Sequence, residues 1–322
     1  MFVHLAFLVA AASAPAAAPP NCADATAFVG TICAPASAGK HPAILLLGGS
    51  EGGNTMAAVA PRFAQRGYVA ASVAYFRMPG LPQTLENVPV ESVGKAVAAI
   101  AARADVDPNR IAILGGSKGG ELALLAASTY PQIHAVIADV PSPFAWQGIP
   151  NGPAPATSSW TIDGKPVPYV QYTNAMGQAF AEAFTRGNPL KLRTAYDDAM
   201  QQNKNEIPAA MFHLENIHGP VLMLAAGDDG IWDSVAQVQI GMQYLHDHHH
   251  PYADQSLQYP AAGHMFLFAS AQHPLTQASM GPVALLFGGT PQANAGAGSD
   301  AWAKIYAFLQ TSLQAAVGAS SK

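Results

Sequence analysis

The stretch Arg110–Ser128, RIAILGGSKGGELALLAAS, admits few folds. Ile111–Leu114 is an unbroken apolar run of strand-type residues. Two glycines, Ser117, Lys118 and a third glycine follow, and a helix-type run begins at once. Continuously apolar strands belong to parallel sheets buried on both faces, and a parallel neighbour needs a crossover, usually a helix. The same alternation recurs along the chain. Ala43–Leu47, Tyr68–Tyr75, Ala135–Asp139, Val221–Ala226 and Ser256–Pro260 read as further strands. Helices are predicted up to about Gln65, over Val90–Arg103, from the serine corner to about Thr129, near Val235–His246 and from about Asp300 to Gln314. Asp105–Arg110 reads as a turn. The expectation is an α/β fold, with a mostly parallel central sheet covered by helices on both faces.

The alternation breaks between Pro141 and about Glu215, which is rich in Pro, Gly and Asn and has one helical piece around Gln178–Arg186. Residues 141–215 are therefore expected to form a cap inserted between two strands of a domain spanning 42–322. Phe144, Trp146, Trp160 and Phe184 within it either line a pocket or form the cap's own small core.

Only 11% of the 322 residues are charged and half are hydrophobic, which excludes a largely disordered chain. The net charge is -5 and there is no basic run, so nucleic acid is not an expected partner. Past the first residues no apolar stretch is long enough to span a bilayer, so stable membrane insertion is not expected either. Phe2–Ala12 is a short apolar run followed by small-x-small triplets at Ala12–Ala14 and Ala16–Ala18. Residues 1–18 thus read as a secretory signal peptide, without Lys or Arg in front, and 19–41 as a lead segment. Export to the periplasm or medium is the expectation; the alternative is a cytoplasmic protein with a disordered Ala/Pro tail. Cys22 and Cys33 are the only cysteines, open to pairing in an oxidising compartment and free thiols otherwise. Ala25–Pro35 has room for one strand at most.

Gly115–Gly119 fits G-x-S-x-G and lies between a predicted strand and a predicted helix, the context in which that pattern marks a nucleophile. Ser117 is the candidate, with the Lys118 N–H at the helix start as an oxyanion donor. The glycine-rich loop after Ala43–Leu47 should supply a second donor from Gly49 or Ser50. Glu51 can also aim at this place, with no role assigned. The Lys118 ammonium either meets an acidic group such as a CoA phosphate or is solvated or salt-bridged. A serine needs a base, and the base an orienting acid, in the chain order Ser, Asp, His. Asp229 is the candidate acid, ahead of its neighbour Asp228 and of Asp233, which lies further into the next helix. His264, after Tyr259-Pro260-Ala261-Ala262-Gly263, is the candidate base. His273 is an alternative, and His41, His134, His213 and His218 read as structural or flanking. His246, His248, His249 and His250 form a tract that reads as a surface feature, with a metal site as the alternative. No cofactor is implied.

The phrases GGSKGGELAL, GDDGIWDS, YPAAGHMF and the tail from Leu285 resemble the acyl-CoA thioesterase/bile acid-CoA:amino acid N-acyltransferase C-terminal domain family. The resemblance implies an α/β-hydrolase fold of dienelactone-hydrolase type, with Ser117, Asp229 and His264 in the family's nucleophile, acid and base positions. It also implies a small-molecule acyl thioester or ester as substrate. Animal members carry a β-sandwich in front, for which this chain has no room between residue 18 and the sheet. The alternatives are an exported carboxylesterase acting on small esters, acyl transfer to an amine, and a non-catalytic ligand-binding relative.

Overall fold

The computed structural model describes residues 20–152 and 154–314. The expected signal peptide, 1–18, lies outside them. Eight strands share one sheet: β1 (Asn21–Asp24), β2 (Gly30–Ala34), β3 (His41–Leu47), β4 (Val69–Val73), β5 (Val106–Gly116), β6 (Ala135–Asp139), β7 (Val221–Ala226) and β8 (Gln255–Tyr259). Their spatial order is β1-β2-β4-β3-β5-β6-β7-β8. β1 pairs with β2, and β2 with β4, in antiparallel register; all pairings from β4 to β8 are parallel.

The unbroken apolar character of β3 has a direct cause. Ala43, Leu45 and Leu47 enter one core while Ile44 and Leu46 enter the other. The first core is closed by α2 (Glu91–Ala101), α3 (Lys118–Thr129) and α7 (Ser234–Asp247), through Val93, Val97, Leu122, Leu124, Val238 and Leu245. The second is closed by α1 (Ala60–Ala64) and α8 (Pro291–Ser312), through Phe63, Ala301, Ile305 and Leu309. Each fully buried Leu or Ile contributes about 1.5–3 kcal/mol. Truncating Leu45, at the sheet's centre, to Ala would cost about 2–5 kcal/mol.

Three features depart from the sequence expectation. Asp105–Arg110 is mostly strand, because β5 starts at Val106 and pairs there with His41 through a register shift. The lead segment does not stand apart. It gives β1 as well as β2, and Cys22 and Cys33 are register partners joined by a disulfide. A hairpin of Gln277–Met280 and Val283–Leu286 was not anticipated.

Between β6 and β7 the chain carries α4 (Asn174–Arg186), α5 (Arg193–Gln202), α6 (Ile207–Ala210) and the strands Trp160–Ile162 and Lys165–Pro166, which form a small sheet with Val88–Pro89 from ahead of α2. α5 escaped detection because only Ala195, Tyr196 and Ala199 are buried, too narrow an apolar stripe to show as a period. This segment packs a core around Phe144, Trp146 and Tyr196 that Trp232, from beyond β7, completes. Trp160 is buried against the main core, and Phe184 is exposed. Three of the four aromatic residues singled out from sequence are therefore core. Among the described residues, no helix is long and apolar enough to cross a membrane.

Candidate active site

Ser117 is the hinge between β5 and α3. Its backbone sits at φ 55°, ψ -122°, a region that L-residues avoid, and its N–H donates to Asp139 O at 2.8 Å. Small neighbours make the turn possible. A Cβ on Gly115 would fall 2.0 Å from Gly119 O, and one on Gly119 would fall 2.1 Å from Gly48 O. The start of α3 is thus pressed onto the loop that follows β3. The first turn of α3 brings its N–H groups and the positive end of its dipole to Ser117.

The loop after β3 is held from both sides. The Tyr75 hydroxyl lies 2.6 Å from Gly48 O and 2.9 Å from Gly49 O. Glu51 Oε1 accepts the Gly49 N–H at 3.0 Å and the Thr55 hydroxyl at 2.7 Å. Glu51, left without a role by the sequence, fastens this loop. The Gly49 amide, one of the two candidate donors, is thus engaged by Glu51.

His264 follows β8. Its N–H donates to Phe287 O at 2.8 Å, and the preceding Gly263 N–H donates to the buried Asn294 Oδ1 at 2.8 Å. The imidazole is 4% exposed. Its Nδ1 lies 2.9 Å from both carboxylate oxygens of Asp229, and its Nε2 lies 2.8 Å from Ser117 Oγ. Asp229 follows β7, and its Oδ1 accepts the N–H groups of Ile231 at 2.9 Å and Trp232 at 3.2 Å. Two amides and an imidazole thus fix the carboxylate in one orientation. The Trp232 ring stands edge-on to His264, with centroids 5.4 Å apart. A hydroxyl facing an imidazole that is backed by a buried carboxylate can lose its proton to the ring as it attacks a carbonyl carbon.

The other candidates go elsewhere. Asp228 is exposed and accepts the Gly289 N–H at 2.9 Å. Asp233 caps α7 through the Ala236 N–H and pairs with Arg193 at 2.6 Å. His273 is exposed, and its backbone pairs with Ser270. The histidine tract disperses: His246 meets Asp247, His248 meets Tyr244 O, and His250 meets Asp254 and Ile217 O. Among the described residues, no cluster of three or more His, Cys, Asp or Glu side chains is arranged to hold a metal ion.

Of the two readings of the Lys118 ammonium, the salt-bridged one holds, and the ammonium does not reach a CoA phosphate. Lys118 is 1% exposed, and its Nζ lies 2.7 Å from both carboxylate oxygens of Glu121. Burial lowers the lysine's pKa and raises the glutamate's, and the attraction between the two opposes both shifts. Sequence reasoning also missed Tyr75, Asn294 and Asp139. Asp139 ends β6 next to the serine turn, its Oδ1 without a hydrogen-bond partner among the described residues. Burial, with the Asp229 charge adding to it, pushes its carboxyl well above the ordinary range.

The family description "BAAT / Acyl-CoA thioester hydrolase C terminal" matches residues 88–315. The chain belongs to this family. Similar BAAT-type relatives include acyl-coenzyme A thioesterase 6 of Homo sapiens, 27% identical over 87% of this chain and 62% of that protein. Acyl-coenzyme A amino acid N-acyltransferase 1 of Mus musculus is 27% identical over 88% of this chain and 63% of that protein. This BAAT-family chain therefore spans about three-fifths of the length of the curated relatives it matches. Among solved structures, a putative dienelactone hydrolase from Klebsiella pneumoniae superposes with a TM-score of 0.55 at 15% identity, covering 90% of this chain and 98% of that one. An esterase from Pyrobaculum calidifontis gives 0.53 at 17% identity, over 92% and 87%. Both support the α/β-hydrolase fold.

Proposed function

We propose that the protein hydrolyses acyl thioesters through an acyl-enzyme on Ser117. The observation that carries this reading is the position of His264, within hydrogen-bonding distance of Ser117 Oγ on one side and of Asp229 on the other. In the proposed cycle, His264 Nε2 takes the Ser117 proton as Oγ attacks the acyl carbonyl. Asp229 holds the ring and balances the imidazolium. The Lys118 N–H, with the Ser50 N–H from the facing loop, receives the negative charge that builds on the carbonyl oxygen. The thiol leaves with the proton from His264. Water, deprotonated by the same ring, then attacks the acyl-enzyme, and Ser117 recovers its proton as the acid departs.

A second reading has its own support. A Cys22–Cys33 disulfide belongs to an oxidising compartment. CoA esters are scarce there, and an exported enzyme would meet small oxygen esters instead. One paired assay tests both. Purified wild type and Ser117→Ala are compared on a mid-chain acyl-CoA, followed by thiol release, and on a p-nitrophenyl ester. Thioester preference in kcat/KM supports the first reading, and turnover of the ester alone supports the second. In either case Ser117→Ala should lose at least about a thousandfold in kcat. Full turnover by that variant overturns the assignment.

A further inference from the structure

The buried Lys118–Glu121 pair occupies the first turn of α3, directly after Ser117. Two charges inside a protein lose their hydration, and their attraction does little more than repay it. Apolar side chains of similar volume hold such a place as well or better. Stability alone is thus a poor reason for the pair, and its other partners suggest a better one. Glu121 Oε1 accepts the Trp146 backbone N–H at 3.1 Å and the Trp160 indole N–H at 2.7 Å. Lys118 Nζ lies 2.8 Å from Ser159 Oγ, and that hydroxyl donates to Trp146 O at 2.8 Å. All these partners belong to the segment between β6 and β7. An apolar pair would accept that segment in several registers, whereas directional bonds to Trp146, Ser159 and Trp160 accept one. From Trp146 a row of rings continues to the site. Trp146 meets Tyr196 at 4.9 Å, Tyr196 meets Trp232 at 5.4 Å, and Trp232 meets His264 at 5.4 Å.

We propose that Lys118 and Glu121 are positioning residues that seat the inserted segment in one register on the serine turn. Through the row Trp146–Tyr196–Trp232 they fix the wall that an acyl group meets beside His264, and so they set acyl-chain selectivity. The proposal rests on the reading of Ser117 as the acyl-accepting residue.

The test uses the full chain, with Glu121→Gln and Ser159→Ala. Glu121→Gln keeps the shape and removes the charge; Ser159→Ala keeps both charges and removes one directional partner. Each is assayed on acetyl, hexanoyl and dodecanoyl esters of whichever leaving group, CoA or p-nitrophenol, the wild type turns over. Labelling of Ser117 by a fluorophosphonate probe is followed in parallel. In Glu121→Gln the dodecanoyl-to-acetyl ratio of kcat/KM should shift by about tenfold or more, carried by KM, while labelling persists. Ser159→Ala should shift it in the same direction by less, and it provides the test if Glu121→Gln does not fold. An unchanged ratio in folded Ser159→Ala and Glu121→Gln overturns the proposal, as does a uniform loss on all three esters. Failure of wild type to label at Ser117 is a separate result, which overturns the reading beneath it.

Discussion

Asp228 and Asp229 are adjacent in the chain, yet only Asp229 reaches His264, with both carboxylate oxygens 2.9 Å from Nδ1. Asp228 points its carboxylate at the Gly289 N–H. Asp229→Asn should lower kcat by about ten-thousandfold, because an amide neither stabilises the imidazolium nor holds the needed tautomer. Asp228→Asn still offers an acceptor to Gly289 and should stay within about twofold, as exposed substitutions generally do. Steady-state kinetics on the two variants decides it, and the reverse ranking would move the acid to Asp228.

The strained backbone of Ser117 predicts a stability gain when function is removed. A non-glycine residue at such φ and ψ carries about 1–3 kcal/mol. Glycine adopts the conformation freely, at an unfolded-state cost of about 0.5–1 kcal/mol. Ser117→Gly should therefore be more stable than Ser117→Ala by about 1 kcal/mol, read from denaturant midpoints. Ser117→Gly less stable than Ser117→Ala by about 0.5–1 kcal/mol, the glycine cost alone, would mean that the turn carries no strain.

His250 is buried, and both its ring nitrogens face acceptors, Asp254 at 2.6 Å and Ile217 O at 2.9 Å. A neutral ring carries one N–H, so only the imidazolium satisfies both. Burial works against that charge, but the bonds to Asp254 and Ile217 prevail and raise the pKa. The stabilisation is complete below the unfolded value of about 6.5. It disappears as pH rises through the higher folded value. Wild-type Tm should fall from about pH 6 to about pH 9, more steeply than in His250→Gln. Parallel curves would refute this.

Asp139 changes stability with pH in the same direction, but there the charged form is the destabilising one. Its carboxyl is raised in the folded state, by burial first and by the Asp229 charge second. It is therefore harmless below the unfolded value of about 3.9, and it costs stability as pH climbs toward the folded one. Asp139→Asn, neutral and of the same shape, should melt above wild type, by a margin that widens from about pH 5 to about pH 8. A margin that is constant or negative would show that the Asp139 carboxyl is not raised in the folded protein.

The parts of the fold that could be read from sequence are those where one physical demand dominates. Ala43–Leu47 of β3, Ile111–Leu114 of β5 and the whole of β7 are buried on both faces, so their residues are apolar without interruption. Ser117 was legible because a strained turn needs small neighbours, and they are written out as Gly115, Gly116 and Gly119. The first residues of β5 were hidden because Asp107, Pro108 and Asn109 have turn chemistry, although Val106 pairs with His41. The start of α8 was hidden by Gly296 and Gly298. Gly298 is there because a Cβ would fall 2.4 Å from Phe266 O. Thr290, which caps the helix through the Ala293 N–H ahead of Pro291, was the signal available. Tyr75, Asn294 and the partners of Lys118 act across long stretches of chain, and no local pattern announces such contacts.

His264 is delivered by the last strand of the sheet, 147 residues after the serine it faces. Among the described residues that strand pairs only with β7, and the turn beyond it is tied to Phe287 and Asn294. On a growing chain the serine corner is made long before its partner emerges. On the proposed reading, Ser117 is reactive only once β8 has joined and Asn294 of α8 holds the turn beyond it. On that reading, the recovery of Ser117 reactivity after dilution from denaturant reports when β8 and the turn beyond it have joined, apart from signals that report the buried centre of the sheet.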